Sequence, residues 1–298
     1  MNIDDAKAAS EIAKNTSDAV KSFHEIIQSI LQPKGVDLAI IEGHKKIIET
    51  YVARTDVDEF SKIAFLSGYK KMVKEFRNCA SVANIASSFV SDDAKPKDVE
   101  EDWFTFFFDK VRLVSDEGLQ NMWGQILAGE VNKPGKYQRS LLHTLSIMSA
   151  SQAELFCNLA KFCMYEYKGD IVHPLIFMST NAQVYEKLNI TSNGLLDLEY
   201  LGLIQCDFKD EFVFLKKKVL RYGNNIIEIY GDPQNDKKIN AGNVRFTYNG
   251  RALFEIVDGD YKRYRSELLD FAITKFQRRN CEVILQSYGK KWTVDKIF

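Results

Sequence analysis

Residues 101–156 read EDWFTFFFDKVRLVSDEGLQNMWGQILAGEVNKPGKYQRSLLHTLSIMSASQAELF, and this stretch decides the fold. It lays out helices together with their caps and joints. Trp103, Phe104, Phe106, Phe107 and Phe108 crowd a helix expected over Asp98–Leu113, and aromatics on nearly every side imply burial on nearly every side. Ser115 is a candidate N-cap, with Asp116 and Glu117 in the first turn, where the helix dipole favours anions. Leu119, Met122, Trp123, Ile126 and Leu127 form the apolar stripe of the following helix. Gly129 suits its C-terminal end, and Pro134-Gly135 suits a turn. A helix over Gln138–Met148 comes next. Ser151 with Glu154 three residues on then predicts a capping box opening Gln152–Lys168.

Upstream, helical periodicity continues. Ile12, Val20, Phe23, Ile26, Ile27, Ile30 and Leu31 recur at three- and four-residue steps over residues 3–32, with Pro33 and Gly35 as stop signals. A second helical stretch runs through Leu38, Ile41, Ile47, Ile48 and Tyr51. Asp56 or Asp58 can cap a third over Glu59–Val90, whose expected core side is Phe60, Ile63, Phe65, Leu66, Tyr69, Met72 and Phe76. Ser91–Lys97, polar and holding Pro96, is the linker candidate. Downstream of Gly169 strand-like runs appear at Phe212–Leu215, Ile226–Tyr230 and Val244–Tyr248. The polar segment between the last two is expected to be a long hairpin tip, and helical pattern returns over Tyr261–Ser287.

These signals predict a mainly α protein with a smaller α+β part, an N-terminal helical bundle followed by a winged-helix-like C-terminal domain. The expected divisions are 1–92, a set of amphipathic helices; 98–168, a tryptophan-motif helical domain; and 169–298, the winged-helix-like part with its C-terminal helix. The winged-helix expectation rests on Val184–Ile204, where a short helix, a turn, a second helix and a Leu-Gly-Leu-Ile ending lead into strands. That second helix carries Asp197 and Glu199 and no Lys or Arg, which argues against reading DNA through it.

Composition narrows the function. Forty basic and 41 acidic residues leave a net charge of −1, unlike the basic footprint of a general nucleic-acid binder. Local cation clusters remain: Lys216, Lys217, Lys218 and Arg221 after a strand, Lys237 and Lys238, and Lys262, Arg263, Arg265, Arg278 and Arg279. With aromatics interleaved, Lys216–Lys218, Arg221, Arg263, Arg265, Arg278 and Arg279 are candidate nucleic-acid contacts; the plain alternative is a solvated helix face. The five cysteines, Cys79, Cys157, Cys163, Cys206 and Cys281, have no Cys-x-x-Cys spacing and read as small core hydrophobes of a reducing cytoplasm. His24, His44, His143 and His173 have no metal spacing. The acidic groups Asp92-Asp93, Glu100-Glu101-Asp102 and Asp116-Glu117 read as helix-start residues before nuclease carboxylates. No catalytic residue, cofactor or metal is expected. Neither a signal peptide nor a spanning helix is expected, and the N-terminal helices point to self-association or a protein partner.

Ser115-Asp116-Glu117-x-x-Gln120-x-x-Trp123-Gly124-x-Ile126-Leu127-Ala128-Gly129-Glu130, followed by Lys133-Pro134-Gly135, resembles a bacterial family of unknown function. There a tryptophan-bearing helix precedes a Pro-Gly turn and a Leu-x-x-Leu helix. A shorter similarity, to an element of the kind Leu-Gln-x-Trp-x-x-Leu-Leu-Ala, is to the alpha domain of bacterial abortive-infection proteins. The resemblance implies an antiviral-defence setting and transfers no catalytic residue. Read physically, Trp123 is a core anchor, Gly124 with Ala128 lets a second helix approach, and Gly129, Pro134 and Gly135 end and turn the chain.

Overall fold

The computed structural model describes residues 18–31, 48–167, 171–177, 183–207, 209–257, 265–287 and 290–293. The expected helical positions before residue 18, those at 32–47, and the candidate contacts Lys262 and Arg263 lie outside them. The chain divides into two compact units, Met1–Ser146 and Ile147–Phe298. It is mainly helical, with a smaller antiparallel sheet part.

The first unit holds α1 (Asp18–Leu31), a helical turn at 48–52, α2 (Glu59–Ser87), a 3₁₀ turn (Pro96–Asp98), α3 (Glu101–Val111), α4 (Glu117–Asn132) and α5 (Arg139–Ile147), which reaches the division. Asp58 caps α2 by accepting from Ser61 N at 2.9 Å. Asp116, not Ser115, caps α4, accepting from Leu119 N at 2.9 Å. The carboxylate is one residue nearer the free amides, and the Ser115 hydroxyl instead accepts from Asn78 Nδ2 at 3.3 Å. The core gathers Phe23 of α1, Val82 of α2, Phe107 of α3, Trp123 and Ile126 of α4 and Leu141 of α5, all fully buried. Within α3, Trp103, Phe104, Phe107 and Phe108 are buried, while Phe106 is half-buried under the Lys110 ammonium, 5.0 Å from the ring centroid.

The buried side of α2 departs from expectation. Asn78, Cys79, Val82, Ala83 and Ala86 are its buried residues, all in the C-terminal third. Phe60 is 81% exposed, Ile63 63% and Met72 52%. Periodicity marks an apolar side but not what covers it. Ser91–Lys97, set down as a linker, is pinned to α4. Ser91 N donates to Asn132 Oδ1 at 2.9 Å, Asn132 Nδ2 donates to Phe89 O at 2.9 Å, and Lys95 N donates to Val131 O at 2.8 Å. Pro96 is buried.

The second unit opens with α6 (Ala150–Ala160). Its capping box is Ser149 with Gln152, two residues earlier than the Ser151–Glu154 expected. Two strands follow, β1 (Cys163–Glu166) and β2 (Val172–Pro174), then α7 (Gln183–Glu186), α8 (Ser192–Tyr200), β3 (Ile204–Cys206), β4 (Val213–Leu215), β5 (Lys217–Tyr222), β6 (Asn225–Tyr230), β7 (Lys238–Asn240), β8 (Val244–Phe246), α9 (Tyr248–Val257), α10 (Ser266–Gln277), β9 (Glu282–Ser287) and β10 (Lys290–Thr293). A six-stranded antiparallel sheet runs β10-β9-β6-β5-β1-β2, and β3–β8 and β4–β7 form separate pairs. Leu220, Ile227, Ile229 and Val283 line its buried face, and α10 packs along β9.

Three sequence expectations change here. Helix α6 stops at Ala160, and Cys163–Glu166 becomes a strand because β2 and β5 pair with it on both edges. The expected final helix is broken: Asn280 takes φ +57° after α10, a left-handed conformation that ends a helix, and EVILQS continues as β9. The segment between β6 and β8 is not a hairpin tip, since β5 and β9 occupy both edges of β6 and Lys238–Asn240 pairs with β4. In addition, Tyr248 opens a helix, where Thr247 Oγ1 accepts from Gly250 N at 3.1 Å.

Candidate functional site

Within the tryptophan motif, Gln120, Trp123, Gly124, Gly129, Glu130 and Gly135 each have a packing or turn-forming role. Trp123 is fully buried, edge-on to Phe107 with ring centroids 5.2 Å apart and planes at 75°. Its Nε1 is buried without a hydrogen-bond partner. A Cβ at Gly124 would lie 2.5 Å from Ile85 Cγ2 and 3.3 Å from Ala86 N, so glycine sets the closeness of α2 and α4. Gln120 is buried at the same crossing; it accepts from Ser81 Oγ at 2.8 Å and donates to Val114 O at 2.9 Å. A Cβ at Gly129 would lie 2.7 Å from the Tyr137 ring. Glu130, 2% exposed, clamps the turn: its carboxylate accepts from Gly135 N at 2.6 Å and Tyr137 N at 2.8 Å. Burial pushes its pKa up, and the backbone amides of Tyr137, Gly135 and Lys136 oppose that rise. Gly135 follows Pro134 with φ +79°, a conformation glycine adopts freely. Trp103 Nε1 donates to Tyr137 O at 2.8 Å, tying α3 to the same turn.

The candidate cations of the second unit fall into different environments. Lys217 and Arg221 share one face of β5, and Lys218 points to the other. Lys217 Nζ donates to Glu228 Oε2 at 2.7 Å and to the Tyr230 hydroxyl at 2.8 Å. Lys218 is ion-paired with Glu166, Arg279 with Glu211, and the Arg279 guanidinium lies 4.8 Å from the Phe177 ring centroid. Arg221 stacks on Tyr165 at 4.8 Å. Arg265 is 3.8 Å from Glu267. Arg278 is the C-cap of α10, and Lys216 is exposed at a left-handed backbone position, φ +66°. In α8, Glu199 accepts from Cys206 N at 2.8 Å, and Tyr200 is exposed.

Two groupings had no single sequence signal. Glu166 accepts from Lys218 and, at 2.9 Å, shares a hydrogen bond with His173 Nε2; the His173 ring sits edge-on to Phe214, centroids 4.6 Å apart. These residues are 52 apart in sequence at the widest, and only strand pairing joins them. The other grouping lies along α2, where Tyr69, Lys70, Val73, Lys74, Arg77 and Asn78 line an open groove. Its lysines and Arg77 recur at steps of four and three residues, which sets them along one side of the helix.

The remaining candidates are structural or isolated. Burial pushes the Cys79 thiol up to about 11 and the Cys206 thiol up to about 12, away from thiolate reactivity. His24 Nδ1 lies 2.8 Å from Val20 O, and His143 is exposed. Among the described residues no group of three His, Cys, Asp or Glu side chains is placed to hold a metal ion, and no helix is long and apolar enough to cross a membrane.

Fold and site thus define a mainly helical protein with a smaller antiparallel sheet part, built around a tryptophan-centred packing motif. Residues 68–268, more than half of the chain, match the family described as "Protein of unknown function (DUF2806)", and the chain belongs to that family. No curated protein and no solved structure matches it.

Proposed function

We propose that this chain is a bacterial cytoplasmic interaction or sensor protein that works by assembly and docking on a protein surface. The observation that carries this reading is the N-terminal half of α2, where Phe60, Ile63 and Met72 face solvent on a helix whose last third is locked into the core. Phe60 and Ile63 are three residues apart and share one face, and large apolar side chains exposed together favour a contact surface. The anti-phage, abortive-infection-like setting rests on the resemblance of residues 115–135 alone.

The second unit is read as winged-helix-like and the first as a helical bundle. In support, α6, β2, α7, α8 and β3 follow in the order of a winged helix, β8 returns to pair with β3, and β4–β7 form an insertion between those two strands. Nucleic-acid binding through the basic residues is the second reading. Lys217, Lys218 and Arg279 are engaged by carboxylates of the same unit, which leaves Lys216 and Arg278 as its best contacts.

Light scattering of the purified chain, with absorbance at 260 and 280 nm read on the same peak, separates the readings. An assembly free of nucleic acid is expected. A peak carrying stoichiometric nucleic acid, released by salt and lost in Lys216→Glu/Arg278→Glu, overturns the docking reading.

A further inference from the structure

The N-terminal half of α2 has exposed apolar side chains at its start and exposed cations further along. Its start carries Phe60 and Ile63 together with Glu59, whose side chain is 83% exposed and whose carboxylate lies 3.2 Å from Lys62 Nζ of the same helix. Some ten residues on, the exposed Lys70 and Lys74 lie on the same side as Phe60 and Ile63 and, with Tyr69, Val73 and Arg77 further round the helix, line an open groove. Between the two lie Ala64, Ser67 and Gly68, all exposed and small, and a Cβ at Gly68 would meet nothing within 4 Å. Positions 60, 63, 67, 70 and 74 follow steps of three and four residues and therefore share one face.

We propose that a second copy of this chain packs antiparallel on this face, so that Phe60 and Ile63 of each copy enter the groove of the other. This rests on the docking reading above and names its partner. A two-fold axis near Ser67 sets Phe60 against Lys74, Ile63 against Lys70, and the small residues at the crossing, where helices must approach most closely. Glu59 then faces Lys74 and Arg77 of the other copy. A parallel pairing would instead set Lys70, Lys71 and Lys74 against their own equivalents, which like-charge repulsion disfavours. The lysine stems cover Phe60 and Ile63, and an ammonium over the Phe60 ring adds a cation–π contact. The contact spans about 25 Å of one helix, so the association is reversible and concentration-dependent.

The test is sedimentation of the full chain across a concentration series. Phe60→Glu replaces a side chain that is 81% exposed, so an unchanged circular dichroism spectrum is expected, with the dimer dissociation constant raised at least about tenfold. Glu59→Lys and the pair Lys74→Glu/Arg77→Glu each weaken self-association. Mixed together, those two weakened proteins are expected to form a heterodimer tighter than either alone, an outcome that only contact between these two ends produces. A wild-type assembly that Phe60→Glu leaves unchanged, or a mixture that shows no recovery, overturns the α2 pairing while leaving docking elsewhere in place. A monomer carrying nucleic acid overturns both.

Discussion

At the scale of single residues, Trp123 separates a packing motif from a functional one. Its ring fills the centre of the first unit, fully buried, and touches Phe107 edge-on. Its Nε1, buried and unpartnered, adds nothing polar that a phenyl ring would lose. Trp123→Ala is therefore expected to cost about 3–5 kcal/mol by denaturant titration, from the cavity it leaves. Trp123→Phe keeps the aromatic contact and sheds the unsatisfied N–H, so its cost should stay under about 2 kcal/mol. Full stability in Trp123→Ala would refute the structural reading of the motif. The residue level was the most legible in sequence. The tryptophan stripe and the Pro134-Gly135 turn follow from local chemistry that needs no distant partner, while the sequence narrows the cap of α2 only to Asp56 or Asp58, and it falls on Asp58. Glu130 was missed in its role, because a carboxylate two residues from the end of α4 reads as solvated until the backbone of Gly135 and Tyr137 is seen to fold over it.

At the scale of elements, the packing of α2 on α4 turns on one glycine. A methyl at residue 124 would sit 2.5 Å from Ile85 Cγ2 and 2.8 Å from Ile85 Cβ. In an open helix Gly→Ala stabilises by up to about 1 kcal/mol. Here the overpacking, of order 1–3 kcal/mol, outweighs that gain. Gly124→Ala is expected to destabilise, and Ile85→Ala in the same chain should recover part of the loss. A thermodynamic cycle showing strict additivity would mean the two helices do not meet at this point. Element boundaries were less legible than residue roles, for a physical reason. The strand β1 looks like the tail of a helix until β2 and β5 supply its pairing, and the Lys217–Tyr222 strand is disguised by its charges. Likewise, the apolar start of α2 was assigned to the core, since a stripe in sequence does not say whether the same chain or another covers it.

At the scale of the whole molecule, the Glu166–His173–Lys218 cluster couples three strands of the second unit to pH. Burial is the main influence on both titrating groups, and it acts in opposite directions. It pushes the His173 pKa down, a shift that Lys218 and Arg251 reinforce and the bond to Glu166 only partly offsets. Burial would raise Glu166, but the hydrogen bonds from Lys218 and His173 prevail and hold it below the ordinary carboxylate value of 4.5. Both groups therefore bind a proton less readily folded than unfolded. The unfolded chain takes up more protons as pH falls, so stability contributed above the ordinary histidine value of 6.5 is lost below it, first through His173 and then, below 4.5, through Glu166. Calorimetry from pH 7.5 down to pH 5 should show a falling melting temperature for the second unit. His173→Gln removes the group that titrates in that window and should flatten the slope. Lys218→Met acts differently: it takes away the cation that holds Glu166 ionised and should lower stability most at neutral pH, where the unpaired carboxylate is charged. A His173→Gln slope equal to that of the wild type would show that this cluster does not set the pH response, and the loss would have to be sought among carboxylates of the exposed ion pairs.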